Sequence, residues 1–282
     1  MTFAGFGLSS TERSLFTARG ERAPPVGHTV RVNDEEGLRL TGGYQTHVRR
    51  LGGRLVRPSH DATDHIHRLL GHLDSVGFEG APRSFGRDDL GSHVVEYLEG
   101  DIANGMPPAY VWSDETLVAF ARLVRRYHDS ATTFSVPSDW APVVRRGDLP
   151  ALRFDEELVC HNDLAPWNTV FVAEHPIAFI DWDSAAPGTR SWDVAFALWH
   201  WVPLYPAHRR ADVGAAMVRD LSSRVRTFLD AYGFPLQADW VTVVLQRQRE
   251  TCTELQQKAK TSSTIRRLWR AAKPVLETGS PS

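Results

Sequence analysis

The sequence predicts an α+β chain built in two parts, a small antiparallel sheet with one helix and then a larger, mostly helical portion. Three observations predict it. Residues 28–58 alternate apolar positions between the pairs Gly42-Gly43 and Gly52-Gly53 and end at Pro58, the pattern of short strands joined by tight turns. Residues 61–76 and 114–130 carry apolar side chains at helical spacing. Further on, short strand-like segments give way to an apolar, Trp-rich stretch at 191–204 and to periodic segments around 211–232, 236–257 and 262–277. The 282 residues suffice for one large domain or two lobes.

The elements follow in order. Residues 1–28 mix Gly, Ser, Pro and charge without periodicity and are expected to form a loosely packed leader. In 61–76, Ile66, Leu69, Leu70, Leu73 and Val76 share one helix face, with Asp61 or Asp64 as the cap. HVVEYLEG then offers a strand that ends at Gly100. In 114–130, Leu117, Phe120, Ala121, Val124 and Tyr127 form an apolar stripe. Residues 157–160, 169–173 and the run PIAFIDWDS read as strands. Trp199, Trp201 and Trp240 are expected in the core rather than in a pocket.

Composition excludes several classes of function. The net charge of −2 provides no field for nucleic acid or an anionic membrane. No apolar stretch approaches the length that spans a bilayer, and the first residues lack a basic head followed by an apolar block. Cys160 and Cys252 are too few for a disulfide scaffold. A cytoplasmic protein is expected, and its oligomeric state is not legible. The charge is uneven: residues 61–240 hold 15 basic groups and 26 acids. That excess suits a divalent metal or a cationic substrate, or equally a solvated surface. All three lysines, Lys258, Lys260 and Lys273, come late.

The chemistry concentrates in HNDLAPWNTVF and the following IAFIDWD. Asp163 and Asn168 lie five residues apart on a loop that contains Pro166, and Asp181 stands at the end of an apolar strand. If the flanking strands lie side by side, two carboxylates and an amide oxygen converge. Hard oxygen donors of this kind suit Mg²⁺, with phosphate oxygens and water completing the shell. Asp163 can serve as the base that orients a substrate hydroxyl.

His161-Asn162-Asp163-Leu164-Ala165-Pro166-Trp167-Asn168 resembles the HxDxxxxN catalytic loop of the aminoglycoside phosphotransferase-like family. Phe179-Ile180-Asp181-Trp182-Asp183 resembles the family's metal-binding element, and Ser191-Trp192-Asp193-Val194-Ala195 matches a further family pattern. The resemblance covers roughly residues 29–257 and is strongest over 158–197. It implies a bilobal, protein-kinase-like fold, with a nucleotide-binding lobe over 29–99 and a catalytic and acceptor-binding lobe over 100–282. It implies ATP and Mg²⁺ as cofactors and phosphoryl transfer to a small-molecule acceptor, by a small-molecule kinase. By carry-over, Asp163 is the base and Asn168 and Asp181 are the metal ligands. His161 braces the loop, and Asp193 holds it through backbone hydrogen bonds. Asp183 either assists a second metal or binds loop backbone.

The upper lobe departs from the kinase pattern. Gly42 and Gly43 either cradle phosphate or simply turn a hairpin. With no lysine before Lys258, Arg57 is the candidate for the phosphate contact. Residues 64–74 contain no glutamate to partner it. Glu96, Tyr97 and Leu98 fall where an interlobe hinge would run, with backbone groups facing the adenine. On the acceptor side, Glu250 and Glu254 share a helix face and either recognise ammonium groups or pair with neighbouring cations. Only SAAPGTRSW separates Asp183 from Asp193, too short a segment to dock a peptide substrate. The alternative to a kinase is a catalytically weak or inactive nucleotide-binding regulatory protein of the same fold.

Overall fold

A computed structural model describes residues 38–40, 48–143, 156–235, 237 and 239–261. The leader, Gly42, Gly43 and the helix expected at 262–277 lie outside the described residues. The chain adopts the expected bilobal α+β fold. The upper lobe is an antiparallel sheet of β1 (Leu38–Leu40), β2 (Val48–Leu51), β3 (Arg54–Arg57), β4 (Ser84–Arg87) and β5 (His93–Glu96), in the order β1-β2-β3-β5-β4. Gly52 takes φ +60° in the two-residue turn between β2 and β3, a conformation that a side chain would strain. β4 is invisible to pattern reading because Gly86 interrupts it and its register against β5 shifts between Ser84 and Arg87.

Helix α1 (Thr63–Ser75) joins β3 to β4 and buries Ile66, Leu69, Leu70 and Leu73. Val76 does not join that stripe. It stands past the last helical residue, 47 % exposed. Neither Asp61 nor Asp64 caps the helix: Ala62 occupies the N-cap without a side-chain bond. Thr63 Oγ1 instead accepts the His60 N–H at 2.8 Å, and Asp64 pairs with Arg87. A cap pattern in the sequence therefore misleads where a neighbouring cation claims the aspartate.

Past the upper sheet, Gly100 leads into β6 (Asp101–Ile102), paired with β8 (Thr169–Val172); β8 in turn pairs with β9 (His175–Phe179). Gly100 has φ +151°, and a Cβ there would lie 2.6 Å from the Phe171 carbonyl oxygen and from Val170 Cγ1. Backbone cannot retreat as a flexible side chain can, so Gly100→Ala is expected to cost about 2 kcal/mol of stability, read as a lower urea midpoint with an unchanged m-value.

Helix α2 (Asp114–Ala131) is capped by Ser113, whose hydroxyl accepts the Thr116 N–H at 3.1 Å. It buries the whole predicted stripe of Leu117, Phe120, Ala121, Val124 and Tyr127. β7 (Glu157–Cys160) pairs antiparallel with β10 (Ala186–Thr189), a strand that the sequence alone hides behind Pro187 and Gly188. Helix α3 (Arg190–Trp201) is buried on every face. That burial explains why its residues read as apolar all round rather than as an amphipathic stripe. After α4 (Ala207–Arg210), a 3₁₀ turn ends at Gly214 with φ +72°, so the helix expected over 211–232 starts only at α5 (Leu221–Tyr232). α6 (Trp240–Thr261) is the last described helix.

One core joins these elements. Phe120 of α2 stacks on Trp201 of α3 at 3.8 Å between centroids, and Phe179 of β9 meets Phe120 edge-on. Leu55 and Val95 of the upper sheet pack on the same cluster. The aromatic core thus sits directly beneath the loop between β7 and β8. Among the described residues, no helix is long and apolar enough to cross a membrane.

Candidate active site

The loop 161–168 leaves β7 and enters β8, and a buried carboxylate sets its shape. Asp193, fully buried in the first turn of α3, accepts the His161 N–H at 2.7 Å on Oδ2 and the Asn162 N–H at 2.8 Å on Oδ1. His128 of α2 adds Nε2 at 3.2 Å. Burial alone would raise the Asp193 pKa; the hydrogen bonds from His128 and from the His161 N–H outweigh it and hold the carboxyl below its usual range. Asn162 takes φ 65°, uncommon for a residue with a Cβ. Beside the Asp193 bond, two further contacts hold it there: its side-chain amide donates to the Ser184 carbonyl at 3.0 Å, and its backbone carbonyl accepts Arg247 Nη2 of α6 at 2.8 Å.

His161 is fully buried, and burial lowers its pKa, so the ring is neutral. Nε2 lies 3.1 Å from the Ile180 carbonyl and donates to it, which leaves Nδ1 to accept the Asp163 N–H at 3.3 Å. With both nitrogens engaged inside the protein, His161 acts as a strut between the loop and β9.

Asp163 projects from the pinned loop toward Asn168 and Asp181. Asn168 Nδ2 donates to the Asp163 carbonyl at 3.0 Å and to Asp163 Oδ2 at 2.7 Å. Both bonds use the amide nitrogen, so Oδ1 is the atom left for a cation. Burial, aided by the charge of Asp181, pushes Asp163 up to about 7, despite the Asn168 bond that works the other way. The Ile180 N–H donates to the Asn168 carbonyl at 2.9 Å and ties the loop to the residue before Asp181. Asp181 itself adopts φ 62°, ψ 61°, a left-handed turn that carries its half-exposed carboxylate out of line with β9.

The upper lobe reaches this pair of loops through Arg57 at the end of β3. Its Nη2 donates to Asp181 Oδ1 at 2.9 Å and to Asp183 Oδ2. Among the described residues, no loop backbone group bonds the Asp183 carboxylate. Its carboxylate faces Arg57 and, at 3.4 Å, His60 Nε2. Burial raises its pKa, but His60 and Arg57 prevail and hold it low.

The other expected residues are placed less centrally. Glu96 lies at the end of β5, where its Oε2 accepts the Arg83 N–H at 3.2 Å. The Tyr97 N–H donates to the Gly53 carbonyl at 2.9 Å. Leu98 lies at the junction between the lobes, and among the described residues its N–H and C=O make no hydrogen bond. Glu250 and Glu254 are exposed on α6, where Gln246 donates to Glu250 and Lys258 pairs with Glu254. Arg247 of α6 approaches the loop 161–168, its guanidinium lying over the rings of Trp192 and Phe196. Sequence reading missed Arg247, His60 and His128. Only the helical period of α6 marked Arg247 as inward-facing, three residues after Val244.

The donor set admits a hard cation. Among the described residues no three His, Cys, Asp or Glu side chains gather as a metal site. Asn168 Oδ1 and Asp181 supply two oxygens, which matches Mg²⁺ bound with phosphate oxygens and water rather than in a protein cage.

Comparison with known proteins gives consistent results. The phosphotransferase enzyme family profile matches residues 15–228. A trifolitoxin immunity protein from Rhizobium leguminosarum bv. trifolii is 32 % identical over 206 residues, 72 % of this chain and 75 % of that protein. An amicoumacin kinase in complex with AMP-PNP, Ca²⁺ and Ami superposes with TM-score 0.60 at 14 % identity, over 88 % of this chain and 90 % of that one. A macrolide 2′-phosphotransferase from Brachybacterium faecium superposes with TM-score 0.55 at 15 % identity, over 88 % and 93 %. The two structures share the fold; the profile and the curated relative carry the family. The chain belongs to the phosphotransferase enzyme family and by that membership is a small-molecule kinase on a protein-kinase-like scaffold.

Proposed function

We propose that the chain transfers the γ-phosphoryl group of ATP to a hydroxyl of a small-molecule acceptor. The observation that carries this reading is Asp163, held by Asn168 on a loop pinned at Asp193, beside a second carboxylate and a guanidinium. The acceptor oxygen bonds to the γ-phosphorus as the bond to the bridging oxygen of ADP breaks. Asp163 orients the hydroxyl and takes its proton, so the products are a phosphate ester and ADP. Asn168 and Asp181 would hold Mg²⁺, which when bound neutralises phosphate charge. Arg57 grips phosphate oxygens with its remaining N–H groups. The backbone of Glu96 and Leu98 receives the adenine. A reaction that consumes ATP fits a cytoplasmic protein.

The acceptor we favour is an aminoglycoside or another amino-containing antibiotic or toxin. The excess of acids over 61–240 and a relative named for immunity to trifolitoxin support a toxin-like acceptor. An ATP-consumption screen across aminoglycosides, macrolides, amino alcohols, sugars and nucleosides, run with wild type and Asp163→Asn, tests the reading. It predicts turnover with at least one class in the wild type only. Equal ADP release by both proteins with every compound contradicts it. A second reading, a nucleotide-binding protein without turnover, draws on Arg57 already occupying the Asp181 carboxylate. It predicts Mg–ATP binding with no acceptor consumed.

A further inference from the structure

Arg57 finds no carboxylate on the neighbouring helix. α1 contains no glutamate; its Asp64 pairs with Arg87, and its Asp74 lies 3.7 Å from Arg83. Among the polar side chains of α1, His67 meets the sheet, edge-on to His93 of β5 with ring centroids 4.3 Å apart. His93 is the register partner of Arg57 across β3 and β5. It is buried, with neither ring nitrogen bonded among the described residues, and burial lowers its pKa to about 3, so it offers Arg57 no charge. Among the described residues, the carboxylates that reach Arg57 are Asp181 and Asp183, both through Nη2. Among the same residues, the buried Nε has no partner.

The two aspartates differ in their surroundings. The Asp181 side chain is 49 % exposed and that of Asp183 31 %, and Asp183 is also met by His60, three residues after Arg57 on the same segment. Asp181 is the residue suited to a cation. A metal that takes the Asp181 oxygens competes with Arg57 for them, whereas Asp183 can keep its bond throughout.

We propose that Asp183, steadied by His60, is the positioning residue for Arg57: it holds the guanidinium toward the nucleotide phosphates in place of a helix carboxylate. The inference rests on the phosphotransferase reading of the site. Nη2 remains on Asp183 while the rest of the planar fork is free to meet phosphate oxygens. A lysine would have to serve both partners from one nitrogen, which accounts for an arginine on this strand.

The test is calorimetric titration of AMP-PNP, with and without Mg²⁺, into wild type, D183N, D183E, H60Q, R57Q and the R57Q/D183N double variant. D183N is expected to weaken binding about 10-fold in both conditions, D183E to recover most of the loss, and H60Q to cost about 3-fold. The double variant binds no more weakly than R57Q alone, because the effect of Asp183 acts through Arg57. A loss confined to the Mg²⁺ titration makes Asp183 a metal ligand and overturns the proposal, as does a loss that adds to that of R57Q. H60Q carries the same comparison if D183N does not fold. Wild type without affinity for AMP-PNP sinks the ATP reading and this inference together. Normal wild-type binding with an unaffected D183N sinks the inference alone.

Discussion

Asp163→Asn is expected to lower the rate of phosphoryl transfer by about 100- to 10,000-fold, the range spanned by loss of a positioned general base. In the proposed mechanism Asp163 meets the acceptor rather than the phosphates, so nucleotide affinity is expected to change little and the loss to fall on kcat. The same variant is expected to be more stable than wild type, and the sign follows from the proton balance. Burial beside Asp181 raises Asp163 to about 7 in the folded protein, against ~3.9 for an unfolded aspartate. The folded state therefore binds that proton more tightly, and ionising the group at pH 8 opposes folding. Asparagine keeps the oxygen that accepts the Asn168 N–H and removes the charge. The gain at pH 8, on the order of 2–4 kcal/mol, shrinks as pH falls through 7 and vanishes near pH 4, where both states of the wild type are protonated. Urea unfolding of both proteins at pH 8, 6 and 4, without nucleotide, measures it. A variant less stable than wild type at pH 8 contradicts this picture of Asp163.

Asp193→Ala carries the largest stability loss expected in the lower lobe. The carboxylate is fully buried and accepts the His161 and Asn162 N–H groups and His128 Nε2. Its removal leaves buried donors unpaired and releases Asn162 from its left-handed conformation. Breaking a buried charged network from one side costs about 3–5 kcal/mol. His128 also bonds Tyr232 OH at 2.6 Å, so the disturbance reaches α5. Urea midpoints read the stability loss. In protein that remains folded, kcat is expected to fall as well, because the catalytic loop loses its anchor; unchanged kcat would show that the loop holds its shape without Asp193.

Legibility in the sequence followed the physics of each element. The stripes of α1 and α2 were readable because each helix buries one face and exposes the other. α3 is buried all round, so its existence was readable but its orientation was not. β4 and β10 escaped because Gly86 in one and Pro187 and Gly188 in the other erase alternation. The convergence of the lower residues was legible because they are local in sequence: His161, Asp163 and Asn168 occupy one loop, and Asp181 follows the adjoining strand. The upper contribution was only partly legible. The absence of early lysines pointed to Arg57, yet its partners lie more than 120 residues away at Asp181 and Asp183. Spacing along the chain carries no trace of such a pairing. Arg247 belongs to the same class: its bond to the Asn162 carbonyl crosses 85 residues. The expected acidic pair, Glu250 and Glu254, shares a helix face as predicted, but that face meets solvent and Lys258.

Mn²⁺ in place of Mg²⁺ tests the central arrangement most directly, because its paramagnetic resonance spectrum distinguishes free from bound ion. With AMP-PNP present, wild type and Asp163→Asn are expected to bind Mn²⁺–nucleotide alike, whereas Asp181→Asn and Asn168→Ala lose about 10-fold or more in metal affinity. Asp181→Asn that binds Mn²⁺–nucleotide as tightly as wild type would contradict the assignment of the site.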